Sequence, residues 1–367
     1  MPNEYQIYLN QVRAALWGEP VSWPEEQTDS LLALHAMQGT GSLVYPAVLE
    51  QSALSSYARA QMKSVCVATM QNQAKLQWTL QTAWSALEKA GIYAVLMKGA
   101  GLAALYPSPE RRAWGDIDLF VGKDQYHPAC AVMRETFPKA LKFDEELDHY
   151  KHYNLIADGI SIEVHRVSVG LQHPLDERRY ARMEQEGMTM SKERIMLDGL
   201  EVRVPEPTFN ALFVFLHSWE HMLTAGANMR QLCDLACLLH HYADLVDYEQ
   251  LNRYLRALHL EEPWALYMKI LEKELGWKSS DKHKHSINIA QNYDHLLTDL
   301  LSGRMREAKE EMPVTKNRLA RKYYTMRQRM ANAERIRRYS PSYARHMVAT
   351  TLLHGASRLF AKDRHWE

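Results

Sequence analysis

The clearest hydrophobic–polar pattern in the chain has a period of two. In Asp116-Ile117-Asp118-Leu119-Phe120-Val121, the residues Ile117, Leu119 and Val121 share one face of a strand, and Asp116 and Asp118 share the other. The same period recurs in Ile160-Ser161-Ile162-Glu163-Val164-His165. There Ile160, Ile162 and Val164 point one way, and Ser161, Glu163 and His165 the other. The run His152 to Ala157 reads as a partner strand, because Asp158-Gly159 between them is a hairpin turn signal. The apolar run Ile92 to Met97 reads as a buried strand. A last strand, Leu200 to Val204, ends at Pro205 and Pro207.

Helical spacing governs the remainder. The longest stretch, residues 55–90, carries Ala58, Met62, Val65, Cys66, Met70 and Leu76 at roughly helical intervals and stops at Gly91. A short one, Leu102 to Tyr106, is broken by Pro107 and Pro109, and the chain is helical again from Thr208 onward. The pattern divides the chain into an N-terminal helical region (1–90), a strand-bearing core (91–206) and a C-terminal helical region (207–367). Strands confined to the middle predict an α+β fold, with a small sheet flanked by helices, and not alternating βα units.

The polar faces of the strands carry the candidate chemistry. Asp116 and Asp118 side by side repel each other, and a divalent cation gives the pair a reason to exist. If the Glu163 strand lies beside theirs, three carboxylates converge. That is a ligand set for one or two Mg²⁺ ions, which prefer oxygen donors. Upstream, Lys98-Gly99-Ala100-Gly101 is a small flexible turn with one cation, and Arg111 and Arg112 precede the acidic strand. Such an arrangement suits a metal-bound phosphate. For His165 three readings stand: a proton carrier on the acceptor side, a partner that orients a carboxylate, or a surface residue.

The run Leu96-Met97-Lys98-Gly99, Leu102-Ala103, Tyr106-Pro107, Arg112, Asp116-Ile117-Asp118-Leu119, then Ile162-Glu163-Val164-His165, resembles the uncharacterised nucleotidyltransferase family of the polymerase-beta-like superfamily. The resemblance covers roughly residues 30–245. It implies a small mixed nucleotidyltransferase-type sheet, with Asp116, Asp118 and Glu163 holding Mg²⁺ or Mn²⁺. It implies phosphate contacts from Lys98, Gly99, Gly101 and Arg112. Where the superfamily carries Gly-Ser after the first strand, this chain has Gly99-Ala100. The segment Asn228 to Leu235 is similar to the family's Arg–Asp helix. Its Arg230 and Asp234 are four residues apart and can pair. Asp234 then holds Arg230 toward a triphosphate, or the two form an interdomain salt bridge. The implied activity moves a nucleoside monophosphate from an NTP, ATP first, to an acceptor hydroxyl.

Composition is that of a globular protein: 46% of the 367 residues are apolar and 24% charged. No apolar run approaches the roughly 20 residues needed to span a bilayer, and the N-terminus does not read as a secretion signal. The expected location is therefore cytoplasmic, with no membrane partner. Cys233 and Cys237 read as buried apolar residues, since no second Cys/His pair with finger spacing follows. His217, Glu220 and His221 share a helix face and read either as a metal patch or as polar residues near the cleft.

Net charge is zero but uneven. Residues 304–345 carry 13 basic and 4 acidic residues, interleaved with Tyr323, Tyr324, Tyr339 and Tyr343. This segment suits a polyanion such as a nucleic-acid strand, or a helix packed on the acidic remainder. Two alternatives thus stand beside the transferase reading: a non-catalytic nucleotide- or protein-binding descendant, and a nucleic-acid-binding module on residues 304–345.

Overall fold

The computed structural model describes residues 3–51, 54–143, 147, 149–171, 174–224, 226–278, 290–303 and 318–360. Four helices come first: α1 (Asn3–Trp17), α2 (Thr28–Gln38), α3 (Gly41–Leu49) and the long α4 (Ser56–Lys89). Helix α4 begins where the Ser55 hydroxyl accepts the amide of Ala58 at 3.2 Å. It stops before Gly91, which takes a left-handed φ of 68°.

The central sheet follows. Its elements are β1 (Val95–Met97), α5 (Gly99–Ala103), β2 (Asp116–Phe120), α6 (Gly122–Thr136), β3 (Leu141–Lys142), β4 (His152–Ala157) and β5 (Ile160–His165). The strand order is β1-β2-β5-β4-β3. The β2–β5 pair is parallel and the other pairs are antiparallel, so the sheet is small and mixed. Two parallel strands need a crossover, and α6 supplies part of it. Strands β4 and β5 form the expected hairpin. Asp158 (φ 50°) and Gly159 (φ 82°) both sit in the left-handed region that a tight two-residue hairpin turn demands.

After α7 (Pro174–Glu184) a second hairpin, β6 (Arg194–Leu197) and β7 (Leu200–Arg203), stands apart as its own two-stranded sheet. The sequence reading had only β7. Its partner is announced by Asp198-Gly199, the same residue pair in the same left-handed conformation. The rest is helical: α8 (Pro207–Thr224), α9 (Met229–His241), α10 (Tyr248–Ala257), α11 (Glu261–Lys273), α12 (Ala290–Ser302), α13 (Arg318–Arg337) and α14 (Pro341–Phe360). Among the described residues no helix is long and apolar enough to cross a membrane.

Two hydrophobic cores result. One holds the apolar face of the sheet: Ile117, Leu119, Val121, Ile162 and Val164 pack with Leu80, Trp84 and Leu87 of α4 and with Tyr126 and Met133 of α6. The other is built from helices α1–α3 and α8–α12, with Phe215, Trp219, Trp264 and Tyr267 among its largest members. Strand β1 belongs to both. Val95 and Met97 enter the helical core, while Leu96 enters the sheet core.

Two boundaries differ from the sequence reading. The strand expected over 92–97 forms only over Val95–Met97. The helix expected from Leu102 starts at Gly99 and ends at Ala103. Lys98 (φ 48°) and Gly99 (φ 43°) are both left-handed, which turns the chain sharply and lets the helix begin at once.

Candidate active site

Alternation and register bring the acids together. Asp118 pairs with Glu163 across the parallel β2–β5 ladder, and Asp116 lies two residues along the same face. One carboxylate oxygen from each of Asp116, Asp118 and Glu163 falls within a single 4.8 Å cluster. Asp118 is fully buried. Its Oδ1 receives Lys98 Nζ at 3.0 Å and His165 Nε2 at 3.1 Å. Its Oδ2 is buried and has no partner. His165 Nε2 also reaches Glu163 Oε2 at 3.1 Å. The ring is 1% exposed, which removes the surface reading of this residue.

The charges explain one another. Burial alone would raise the Asp118 carboxyl, but Lys98 and the His165 hydrogen bond hold it well below the usual range. Asp116 is pushed up, first by the charge of Asp118 and then by burial. Burial works against ionised Glu163 as well, yet the hydrogen bond from His165 leaves it below its ordinary value. Lys98 and His165 are each desolvated, which disfavours their charge. The surrounding carboxylates outweigh this and raise both.

The turn after β1 fits closely against the acidic strand. A Cβ on Gly99 would lie 3.2 Å from the Asp116 carbonyl oxygen and 3.4 Å from the Trp114 ring. Together with its left-handed φ, this leaves little room for any other residue. The turn brings Lys98 Nζ to 3.0 Å from Asp118 Oδ1, and α5 begins at the next residue.

Arg112 and Arg230, both expected at phosphate, each have protein partners in this structure. Arg112 donates through Nε to Asp234 Oδ1 at 2.9 Å and through Nη2 to Oδ2 at 2.6 Å. The Tyr106 hydroxyl donates to the same Oδ1 at 2.7 Å. Arg112 is 6% exposed and Asp234 4% exposed. The expected pair within α9, Arg230 with Asp234, is therefore not formed. Arg230 instead donates to the Ala113 carbonyl at 2.6 Å, and its buried Nε has no partner. An i, i+4 rule sees only one helix face, whereas the partner that captured Asp234 lies 122 residues away.

Helix α8 brings His217 and His221 within electrostatic reach of Lys98. His217 and His221 stack edge to face with ring centroids 4.6 Å apart. Burial lowers the pKa of both, and the charge of Lys98 adds to this. Burial also pushes Glu220 up to about 7. These three do not make a ligand cluster; among the described residues the converging groups are Asp116, Asp118 and Glu163, and His152, Glu163 and His165. Sequence reasoning missed His152. It stands directly opposite His165 in the hairpin, a position that counting outward from Asp158-Gly159 would have found. Cys233 and Cys237 are buried free thiols.

The basic C-terminal segment is partly placed. Residues 304–317 lie outside the described residues. Further along, Arg335 donates to the Leu223 carbonyl, Arg337 pairs with Glu334 at 2.7 Å and Arg338 with Asp299 at 3.4 Å. The Arg335 and Arg338 contacts fit a helix docked on the body, while the Arg337–Glu334 pair lies within α13 itself.

The model of the family described as uncharacterised nucleotidyltransferase matches residues 24–276. The chain belongs to that family. The match takes in the acidic strands, the Lys98 turn and α9, and also reaches back into the N-terminal helices. Among solved structures, the chain is similar to an antigenic nucleotidyltransferase-like protein from Paracoccidioides brasiliensis. The identity is 14%, over 57% of this chain and 95% of that one, with a TM-score of 0.35. No curated protein sequence matches the chain.

Proposed function

We propose that this nucleotidyltransferase-family protein moves a nucleoside monophosphate from an NTP, ATP first, to an acceptor hydroxyl, and does so with Mg²⁺ or Mn²⁺. The observation that carries the reading is the convergence of Asp116, Asp118 and Glu163 with a buried, unpartnered Asp118 Oδ2. A buried carboxylate oxygen without a donor is costly, and a hard cation is the partner that an all-oxygen set accepts best. The residues present therefore fit the metal. When bound, it would neutralise charge on the transferring phosphate and on the attacking oxygen.

The chain's own groups supply the rest. Lys98 is already oriented over the carboxylates and offers a flexible cation to the triphosphate. Gly99 and Gly101, in the short helix that follows Lys98, would lend backbone amides to the triphosphate. Arg230, with its unsatisfied Nε, offers a second positive group. Arg112 and Asp234 hold the loop between β1 and β2 and act as positioning residues. Glu163 takes the acceptor proton as the new phosphorus–oxygen bond forms; the α–β bridging bond breaks and pyrophosphate leaves. His165 orients Asp118 and Glu163 through one shared nitrogen.

The test is a thermal-shift panel of NTPs with Mg²⁺, with Mn²⁺ and with chelator. A ligand that binds only the native state raises its melting temperature by mass action. Stabilisation by ATP should require the metal and should vanish in Asp118→Asn and Glu163→Gln. Equal stabilisation in chelator would refute the reading. The non-catalytic descendant binds without turnover, so release of pyrophosphate across a panel of hydroxyl acceptors separates it.

A further inference from the structure

Glu163 is shared by two clusters, and the second contains nitrogen. We propose that His152, His165 and Glu163 form a distinct cation site on the β4 side of the carboxylates, selective for a first-row transition ion of the Zn²⁺ class over Mg²⁺. Glu163 Oε2 lies 3.1 Å from His165 Nε2 and 3.7 Å from His152 Nδ1. All three ligand atoms lie within 4.8 Å of one another. A tetrahedral ion about 2.0–2.1 Å from each ligand holds them roughly 3.3 Å apart; the Glu163–His165 pair is already near that spacing, and His152 Nδ1 would move toward Glu163 to complete the set.

Two observations point to a ligand. His152 Nδ1 is buried and has no hydrogen-bond partner, although it faces a carboxylate. His165 Nδ1 lies 3.3 Å from the Val167 carbonyl, which can only accept, so this nitrogen carries the hydrogen. A histidine that ligates a metal is commonly fixed in this way, by giving its other N–H to a backbone carbonyl. Its Nε2 faces two carboxylate acceptors, Asp118 Oδ1 and Glu163 Oε2, and a bound cation would take the place of the proton it shares with them. The segment that carries His152 into β4 is held in place locally. His149 Nδ1 accepts the amides of Lys151 and His152 at 3.4 Å each, and the His149 ring packs 5.3 Å from that of His152.

Donor chemistry sets the selectivity. Mg²⁺ takes oxygen and keeps its water, whereas two imidazoles and one carboxylate suit Zn²⁺ or Co²⁺. The two sites also differ in their neighbours. Lys98 stands over Asp118 on the oxygen side, while the nitrogen side is walled by a row of imidazoles. Because Glu163 bridges them, an ion at the nitrogen site fixes the orientation of a carboxylate that the oxygen site uses.

The experiment uses the full chain stripped with chelator, with no nucleotide present, so its outcome is independent of the transferase reading. Zn²⁺ is titrated calorimetrically in excess Mg²⁺. Co²⁺ is titrated in parallel and followed by its visible ligand-field bands. One Zn²⁺ site should persist in Mg²⁺, and Co²⁺ should show the intense bands of a nitrogen-bound, low-coordinate ion. His152→Ala should weaken Zn²⁺ at least tenfold and remove those bands. His152→Cys, which restores a zinc ligand, should recover affinity, and this guards against a fold defect. Asp116→Asn should keep both signals. Loss of Zn²⁺ binding in Mg²⁺, wild-type binding by His152→Ala, or loss of the bands in Asp116→Asn would each overturn the proposal.

Discussion

Two assemblies of buried charge lie close together in this protein, and they differ in one respect. In the Arg112–Asp234–Tyr106 group both carboxylate oxygens are filled, by two guanidinium contacts and a phenol. In the Asp116–Asp118–Glu163 group the most buried acid keeps one oxygen with no donor at all. The closed assembly ties a loop to a helix. The open one is held by Lys98 and His165, which crowd onto its other oxygen. Burial and perturbed charge are common to both; completeness is what separates a structural ion pair from a site.

The largest expected effect falls on the closed group. Removing one member of a buried pair strands the other, at a cost of about 3–5 kcal/mol. Asp234→Ala and Arg112→Ala should each lose stability on that scale in urea unfolding. A loss below about 1 kcal/mol would erase the contrast. On the open side, Lys98→Met should weaken ATP roughly tenfold or more, as expected for a charge-assisted contact of about 1.5–3 kcal/mol, while leaving adenosine nearly unchanged. Equal losses for ATP and adenosine, measured by titration calorimetry, would make Lys98 structural.

Glu220 sharpens the contrast in a third way, since burial raises it to about 7. A carboxyl whose folded pKa lies above its unfolded value of about 4.3 favours folding at low pH. That contribution fades as pH climbs from about 4.3 through 7. Glu220→Gln should therefore gain stability relative to the parent as pH goes from 5 to 9, by something like 1–2 kcal/mol. A gap independent of pH would mean that Glu220 is ionised throughout. The smallest effect concerns Asp116, which the charge of Asp118 pushes up. Asp116→Asn should melt slightly higher than the parent in chelator and yet lose its response to Mg²⁺ with ATP. A lower melting point would show that the acids do not repel.

Much of the open site was legible in the sequence. Period-two alternation fixed which side chains share a face, and Asp158-Gly159 fixed the hairpin register that carries Glu163 and His165. Strand pairing then needed only that β5 lie beside β2. The closed group was not legible. Arg112 sits in a loop, Asp234 in a helix far along the chain, and nothing in local spacing links them. The burial of His165 was also hidden, because alternation assigns a face but not what covers it. Only the fold shows the His152 ring 5.0 Å from that of His165 and the Val167 carbonyl 3.3 Å from its Nδ1.

Strand β1 is only three residues long, yet it is the party wall of two cores, with Val95 and Met97 in one and Leu96 in the other. A wall shared in this way couples the melting of both rooms. The helices cannot loosen without freeing the strand that ends in Lys98, and the sheet cannot fray without opening the helical interior. Unfolding should therefore proceed as a single cooperative event over both cores. Amide exchange in the buried helices and at β1 should then slow together when a ligand binds the carboxylates, and exchange that slows in the sheet alone would show that the two cores open separately.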